Sequence, residues 1–172
     1  MKRRRFLAGG LLGSIFFLMK GSKAVSSDSI VRIKIVYNNV RGANSGGLLD
    51  DWGFGAWIEA YGKTILFDAG TDGKYLLTNL RKMRLNPERI DAVVISHNHH
   101  DHIGGLEVLY GTIGRNVPVY VPAPQIDIIK GKYADIYFKT AVRSEEIFSG
   151  IFLSGTLEGS YRNAYLPEQA LY

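Results

Sequence analysis

The sequence predicts a layered α/β domain, of the α+β kind in which hairpin strands come first and strand–helix alternation follows. Two patterns carry that prediction. Strand-like segments open the chain with a hairpin, and the later strands are separated by helical patterns. An amphipathic helix also lies between a strand at 64–68 and an apolar strand at 91–96, the arrangement a βαβ unit needs.

The elements follow in order. Ile30 to Tyr37 alternates, with Val31, Ile33 and Ile35 on one face and Arg32 and Lys34 on the other, and reads as a half-buried strand. Residues 38–53 are rich in Asn, Gly and Asp and form a long loop, of the kind that usually serves function in a compact domain. Phe54 to Ala60 and Thr64 to Asp68 are strands joined by a turn at Tyr61-Gly62-Lys63. Asp68-Ala69-Gly70 ends the second strand. Asp72 is placed as the N-cap of a helix reaching Met83, with Leu76, Leu77, Leu80 and Met83 on one face. Asn86-Pro87 punctuates the chain. Asp91 to Ser96 holds the run Ala-Val-Val-Ile, a buried strand. A helix is expected from about Gly104-Gly105, and a strand over Val117 to Val121, closed by Pro122 and Pro124. Beyond residue 125 the pattern weakens: Gln125 to Lys130 reads as helical and Ile147 to Leu157 as strand-like. Tyr133, Tyr137, Phe138, Tyr161 and Tyr165 either pack an insertion or line a pocket, with packing favoured.

The N-terminus distorts the composition. Lys2 to Arg5 is basic, Phe6 to Met19 is apolar and uncharged, and Ser22-Lys23-Ala24 closes the segment. This is the pattern of a secretory signal over residues 1–24, followed by a polar linker at 25–29. Arg3-Arg4-Arg5-Phe6-Leu7 resembles a twin-arginine signal. The expectation is an exported protein, periplasmic or in the cell envelope of a bacterium or archaeon, meeting the membrane only through that segment. Of the 21 Lys and Arg residues, six lie in residues 1–24, where there is no Asp or Glu. The remaining 15 face 16 acidic residues, a net charge of −1. Nothing in that balance points to nucleic acid, so the expected partner is a small-molecule substrate. With no cysteine in the chain, disulfides, thiolate ligands and a Cys nucleophile are excluded.

All four histidines, His97, His99, His100 and His102, fall within residues 97–102, with Asp101 among them. They follow directly on the buried strand at 91–96, at the carboxyl end where α/β sheets place their ligands. His97 and His99 are two apart and project to one side in extended backbone. Imidazoles with one carboxylate suit Zn²⁺, Fe or Mn. A solvated His-rich loop is the competing reading, and the concentration of every histidine at one strand exit weighs against it.

His97-x-His99-x-Asp101-His102, followed by Ile-Gly-Gly-Leu, resembles the motif of the metallo-β-lactamase superfamily. Ile65-Leu66-Phe67-Asp68-Ala69-Gly70 resembles the strand and turn this superfamily places upstream. The resemblance runs from about residue 30 to 122 and weakly beyond. It implies the αββα fold, of which this chain would be the N-terminal half. His97 and His99 would ligate a first metal, and Asp101 and His102 a second. A metal-bridging hydroxide, oriented by Asp101, would attack an ester, lactone, amide or phosphoester. The expected cofactor is Zn²⁺, two ions in the complete protein, with Fe or Mn as alternatives. Asp68 would orient a ligand or simply cap the strand end, and both readings stay open. His100 matches no ligand position.

Within the superfamily, three stretches are similar to the dihydropterin and ribofuranosylaminobenzene 5′-phosphate synthase-like group. They are Val36-Tyr37-Asn38-Asn39, Asp51-Trp52-Gly53-Phe54-Gly55 and Leu166-Pro167-Glu168-Gln169-Ala170-Leu171. That implies a loop carrying Asn39 and Trp52 over the metal site, and makes a pterin-forming transferase a rival to the hydrolase. The family's second half would supply another His to the first metal, a bridging Asp and a further His. No histidine follows His102, and the chain ends at Tyr172. The expectation is therefore an underligated site in a truncated or partnered chain, binding metal weakly and hydrolysing little, with an apolar sheet face left uncovered. A non-catalytic metal-binding fragment is the third reading.

Overall fold

The computed structural model describes residues 30–40, 42, 46–114 and 116–172. The predicted leader and the linker at 25–29 lie outside these residues. Six strands form one sheet in chain order: β1 (Arg32–Asn38), β2 (Phe54–Ala60), β3 (Lys63–Phe67), β4 (Ala92–Val94), β5 (Val119–Tyr120) and β6 (Phe138–Lys139). The first three pair antiparallel, and β3, β4, β5 and β6 run parallel. Helix α1 (Gly73–Lys82) connects β3 to β4. The short helix α2 (His100–Ile103) and then α3 (Leu106–Ile113) lead to β5, and α4 (Ile126–Lys132) leads to β6. A hairpin of β7 (Glu145–Phe148) and β8 (Ile151–Leu153) and a smaller one of β9 (Ser160–Tyr161) and β10 (Ala164–Tyr165) complete the chain.

Local sequence explains the turns. Between β2 and β3 only Tyr61 and Gly62 remain, with φ of 50° and 74°. Two left-handed residues make the type I′ turn whose twist matches a two-residue hairpin. Asp72 caps α1 by accepting from the amides of Lys74 and Tyr75. Leu76, Leu77 and Leu80 of α1 are buried with Leu106 and Leu109 of α3 and Trp57, Leu66 and Val93 of the sheet. The opposite sheet face buries Ile65, Val94 and Tyr120 with Ile151 and Leu153 of the β7–β8 hairpin. Among the described residues no helix is long and apolar enough to cross a membrane.

Several boundaries differ from expectation. The strand at 91–96 narrows to three residues, and the strand at 117–121 to two. The helix expected from Gly104-Gly105 already begins at His100, inside the histidine cluster. The single strand expected over Ile147 to Leu157 is a hairpin turning at Gly150, where φ is 79°. The face of β1 is reversed: Val31, Ile33 and Ile35 are 51%, 62% and 46% exposed. A bulge between Ile35 and Tyr37 turns Val36 and Tyr37 into the helix-covered core. The β7–β8 layer that covers the other face leaves an open pocket at β1, where Val31 and Ile33 stand opposite Ile151 and Leu171 without being buried.

One buried polar side chain fixes the long loop. Asn79 of α1 accepts from the Leu49 amide at 2.7 Å and donates to the carbonyls of Val36 (2.9 Å) and Leu49 (2.8 Å). The helix thereby holds the loop that leads to Trp52. Asn79→Ala strands these backbone groups where water is scarce. The expected cost is about 2–3 kcal/mol, read as a lower urea midpoint with an unchanged denaturant slope.

Candidate metal centre

Parallel pairing of β3 with β4 builds the site. In register, Phe67 opposes Val94. Asp68 therefore leaves its strand beside the residues that lead to Ser96 and His97, and its amide donates to the Val94 carbonyl at 2.8 Å. Asp68 is 1% exposed, and its φ of 60° lies in the left-handed region. Its carboxylate accepts from the Ser96 amide (2.7 Å), the Ser96 hydroxyl (2.8 Å) and His102 Nδ1 (2.7 Å). Asp68 thus both closes the strand end and orients a histidine. Sequence reasoning passes over Ser96; its only signal is its place between the apolar strand and His97.

These bonds set the histidine tautomers. The Ser96 hydroxyl spends its one proton on Asp68, so toward His97 Nδ1, 2.9 Å away, it accepts. His97 therefore carries its proton on Nδ1. His102, held by Asp68, does the same. Both Nε2 atoms are left with bare lone pairs. His97 Nε2 faces His99 Nδ1 at 3.1 Å, and His102 Nε2 lies 3.5 Å from the Asp101 carboxylate. Two nitrogens bound to one tetrahedral ion lie about 3.3 Å apart, from metal–nitrogen bonds of about 2.0–2.1 Å. The donors thus form two close pairs, His97 with His99 and Asp101 with His102, whose separations lie within a few tenths of an ångström of that value. Among the described residues no group of three or more His, Asp or Glu side chains is already arranged to hold an ion.

The two buried imidazoles are driven in opposite directions. Burial lowers the pKa of His97, and the neighbouring His102 and His99 lower it further. Burial opposes charge on His102 too, but the hydrogen bond and charge of Asp68, with the charge of Asp101, outweigh it and raise its pKa. The Asp68–His102 pair stabilises the metal-free fold below the ordinary histidine pKa, and this contribution is lost as pH rises through the raised value. Binding of a metal would have the opposite sense, because an ion would have to displace the second proton that a charged His102 carries on Nε2.

A pocket beside the second pair is lined by Asn39, Trp52, Gly53, Phe54, Asp101 and His102. Trp52 is 66% exposed. Its segment is tethered by Tyr37, which donates to Asp51 (3.1 Å) and accepts from the Asp72 amide (3.0 Å). Burial, reinforced by Asp51, pushes the Tyr37 phenol up to about 12, so it remains a donor at working pH. Thr71 also donates to the Trp52 carbonyl. A side chain at Gly53 or Gly105 would block this packing: an added Cβ would lie 2.4 Å from the Asp101 carbonyl or 2.2 Å from that of Ala69. His100 is exposed and joins neither donor pair. The aromatic residues of the C-terminal third divide. Phe138 is buried and Tyr133 donates to the Ile103 carbonyl, Tyr137 and Tyr165 are exposed, and Tyr161 sits edge-on to His99 at 5.3 Å.

The pattern of the metallo-beta-lactamase superfamily matches residues 56–158, more than half the chain. The 7,8-dihydropterin-6-methyl-4-(β-D-ribofuranosyl)-aminobenzene-5′-phosphate synthase of Methanocaldococcus jannaschii is 40% identical over 58 residues, 34% of this chain and 20% of that protein. Exodeoxyribonuclease WalJ of Streptococcus pneumoniae is 38% identical over 61 residues, 36% of this chain and 23% of that one. The chain thus spans about a fifth of the length of these relatives. Among solved structures, the metallo-beta-lactamase fold protein YhfI from Bacillus subtilis superposes with a TM-score of 0.57 at 18% identity. It covers 83% of this chain and 57% of that one, a likeness of fold.

Asp68→Asn keeps an acceptor for His102 and removes the charge. Zinc affinity of the full chain is expected to fall about 10–100-fold. The pH at which protons begin to displace zinc is expected to move down, because His102 loses its main source of a raised pKa. Zinc titrations at a series of pH values read both effects.

Proposed function

Since the chain belongs to the metallo-beta-lactamase superfamily, we propose that it carries the metal-binding half of a metal-dependent hydrolase acting on an ester, lactone, amide or phosphoester. The observation that carries this reading is the pair of donor sets whose free nitrogens are fixed by Asp68 and Ser96. His97 and His99 would hold one ion, and Asp101 and His102 the other. Zinc is preferred for a nitrogen and oxygen donor set, with iron or manganese as alternatives. When bound, the metal supplies a water of lowered pKa and polarises the oxygen under attack.

The chain's own residues do the rest. Asp101 would accept a hydrogen bond from the attacking water and set its direction. Asp68 holds His102 in the tautomer that leaves Nε2 free. Trp52 and Asn39 border the approach to the second donor pair, where a small substrate would lie. The second reading, a pterin-forming transferase, draws on the similarity to the methanogen synthase.

The test is elemental analysis of the full chain beside a His97→Ala/His99→Ala variant, with hydrolysis assays on a panel of esters, lactones, amides and phosphoesters. The reading expects about one zinc or more per chain, lost in the variant, and slow turnover of one panel class, well below ordinary hydrolase rates, that Asp101→Asn reduces by at least tenfold. Condensation of two organic substrates without hydrolysis would select the transferase. Stoichiometric metal without turnover would select a binding fragment, and equal metal content in both proteins would overturn the ligand assignment.

The reading includes export, supported by the basic cluster at Lys2 to Arg5, the apolar run that follows and the Ser22-Lys23-Ala24 exit. Cell fractionation is expected to find the protein outside the cytoplasm, and Arg3→Lys/Arg4→Lys to retain it inside if the twin-arginine route is used.

A further inference from the structure

Neither donor pair reaches the four ligands of an ordinary zinc site, which directs attention to what else borders the histidines. We infer that the C-terminal segment 166–170 forms a further wall of the metal centre and that Glu168 supplies it with an additional carboxylate donor. The inference rests on the metal-binding reading above.

Backbone and side-chain bonds fix the segment there. The Gln169 amide donates to the Ser96 carbonyl at 2.9 Å, one residue before His97. The Gln169 side chain is 3% exposed and donates to the carbonyls of Ile95 (2.8 Å) and Tyr120 (3.0 Å), at the carboxyl ends of β4 and β5. Glu168 in turn exchanges two backbone hydrogen bonds with Leu157, at 3.0 and 2.7 Å. Its side chain runs along Gly159, where a Cβ would lie 3.5 Å from the carboxyl carbon. Gly159 leads directly into β9, whose Tyr161 ring meets His99.

The carboxylate is half-buried, and among the described residues it has no Lys or Arg partner. Its charge acts on both His97 and His102, one from each donor pair. Charge balance points the same way. Two divalent ions bring four positive charges, against which Asp68 and Asp101 set two negative ones. Glu168 contributes a third.

The test titrates the full chain with Co²⁺ alone against a chelator of known affinity and records the visible spectrum, which reports ligand number and geometry. The proteins are wild type, Glu168→Gln, Glu168→Asp, the exposed control Glu107→Gln and His97→Ala/His99→Ala, each checked for folding by circular dichroism. Glu168→Gln is expected to bind Co²⁺ at least tenfold more weakly with an altered spectrum. Glu168→Asp should recover part of the affinity, and Glu107→Gln should match wild type. Wild-type affinity and spectrum in folded Glu168→Gln would overturn the assignment of Glu168 while leaving the histidine sites standing. If Glu168→Gln does not fold, a Glu168→Asp spectrum identical to wild type at undiminished affinity overturns it instead. Wild type and the His97→Ala/His99→Ala variant binding Co²⁺ alike would overturn the metal reading itself.

Discussion

The centre depends on one buried carboxylate. Asp68 sits at the carboxyl end of β3, and its three hydrogen bonds tie that strand to the end of β4 and to the third histidine of the motif. Without a partner it would be an uncompensated buried charge. With Ser96 and His102 it becomes the element that decides which nitrogens are free. The parallel register of β3 and β4 brings these groups together, and that register is held by the apolar residues beneath, Leu66 and Val93 on one face and Ile65 and Val94 on the other. Core packing and ligand orientation are therefore linked through two adjacent strand ends.

The site is layered outward from that point. Asp68 and Ser96 orient His97 and His102, and His99 and Asp101 complete the two pairs. Around them stand the Trp52 loop, held by Tyr37 and Asn79, and the segment at 166–170, held by Gln169. Each outer piece is fixed by a buried polar side chain bonded to backbone. Such bonds specify one arrangement, because the alternative leaves an unpaired donor or acceptor in the interior.

Much of this was legible in the sequence. Period-two and helical patterns located β2, β3 and α1, and Asp72 marked the helix start. The clustering of all four histidines at a strand exit marked the candidate ligands. The β1 face was misread because alternation reports two faces without saying which is covered, and the bulge after Ile35 reversed the answer. The helix start at His100 was missed because its first turn has no side-chain cap. Ser96 is signalled only by its place before His97, and Glu168 only as part of the stretch 166–171; neither signal says what the residue meets. Their positions depend on pairings between distant segments, such as Gln169 with Ser96, that a single sequence does not announce.

The left-handed backbone of Asp68 has a consequence of its own. A non-glycine residue there costs roughly 1–2 kcal/mol, so glycine would relax the turn while deleting the carboxylate on which the histidines depend. Conformational ease and chemistry pull this position in opposite directions. Selection for stability alone would drift toward a smoother turn and a silent site. An aspartate in this backbone conformation favours chemistry over ease of folding, and a thermostabilised variant is best engineered with position 68 left untouched.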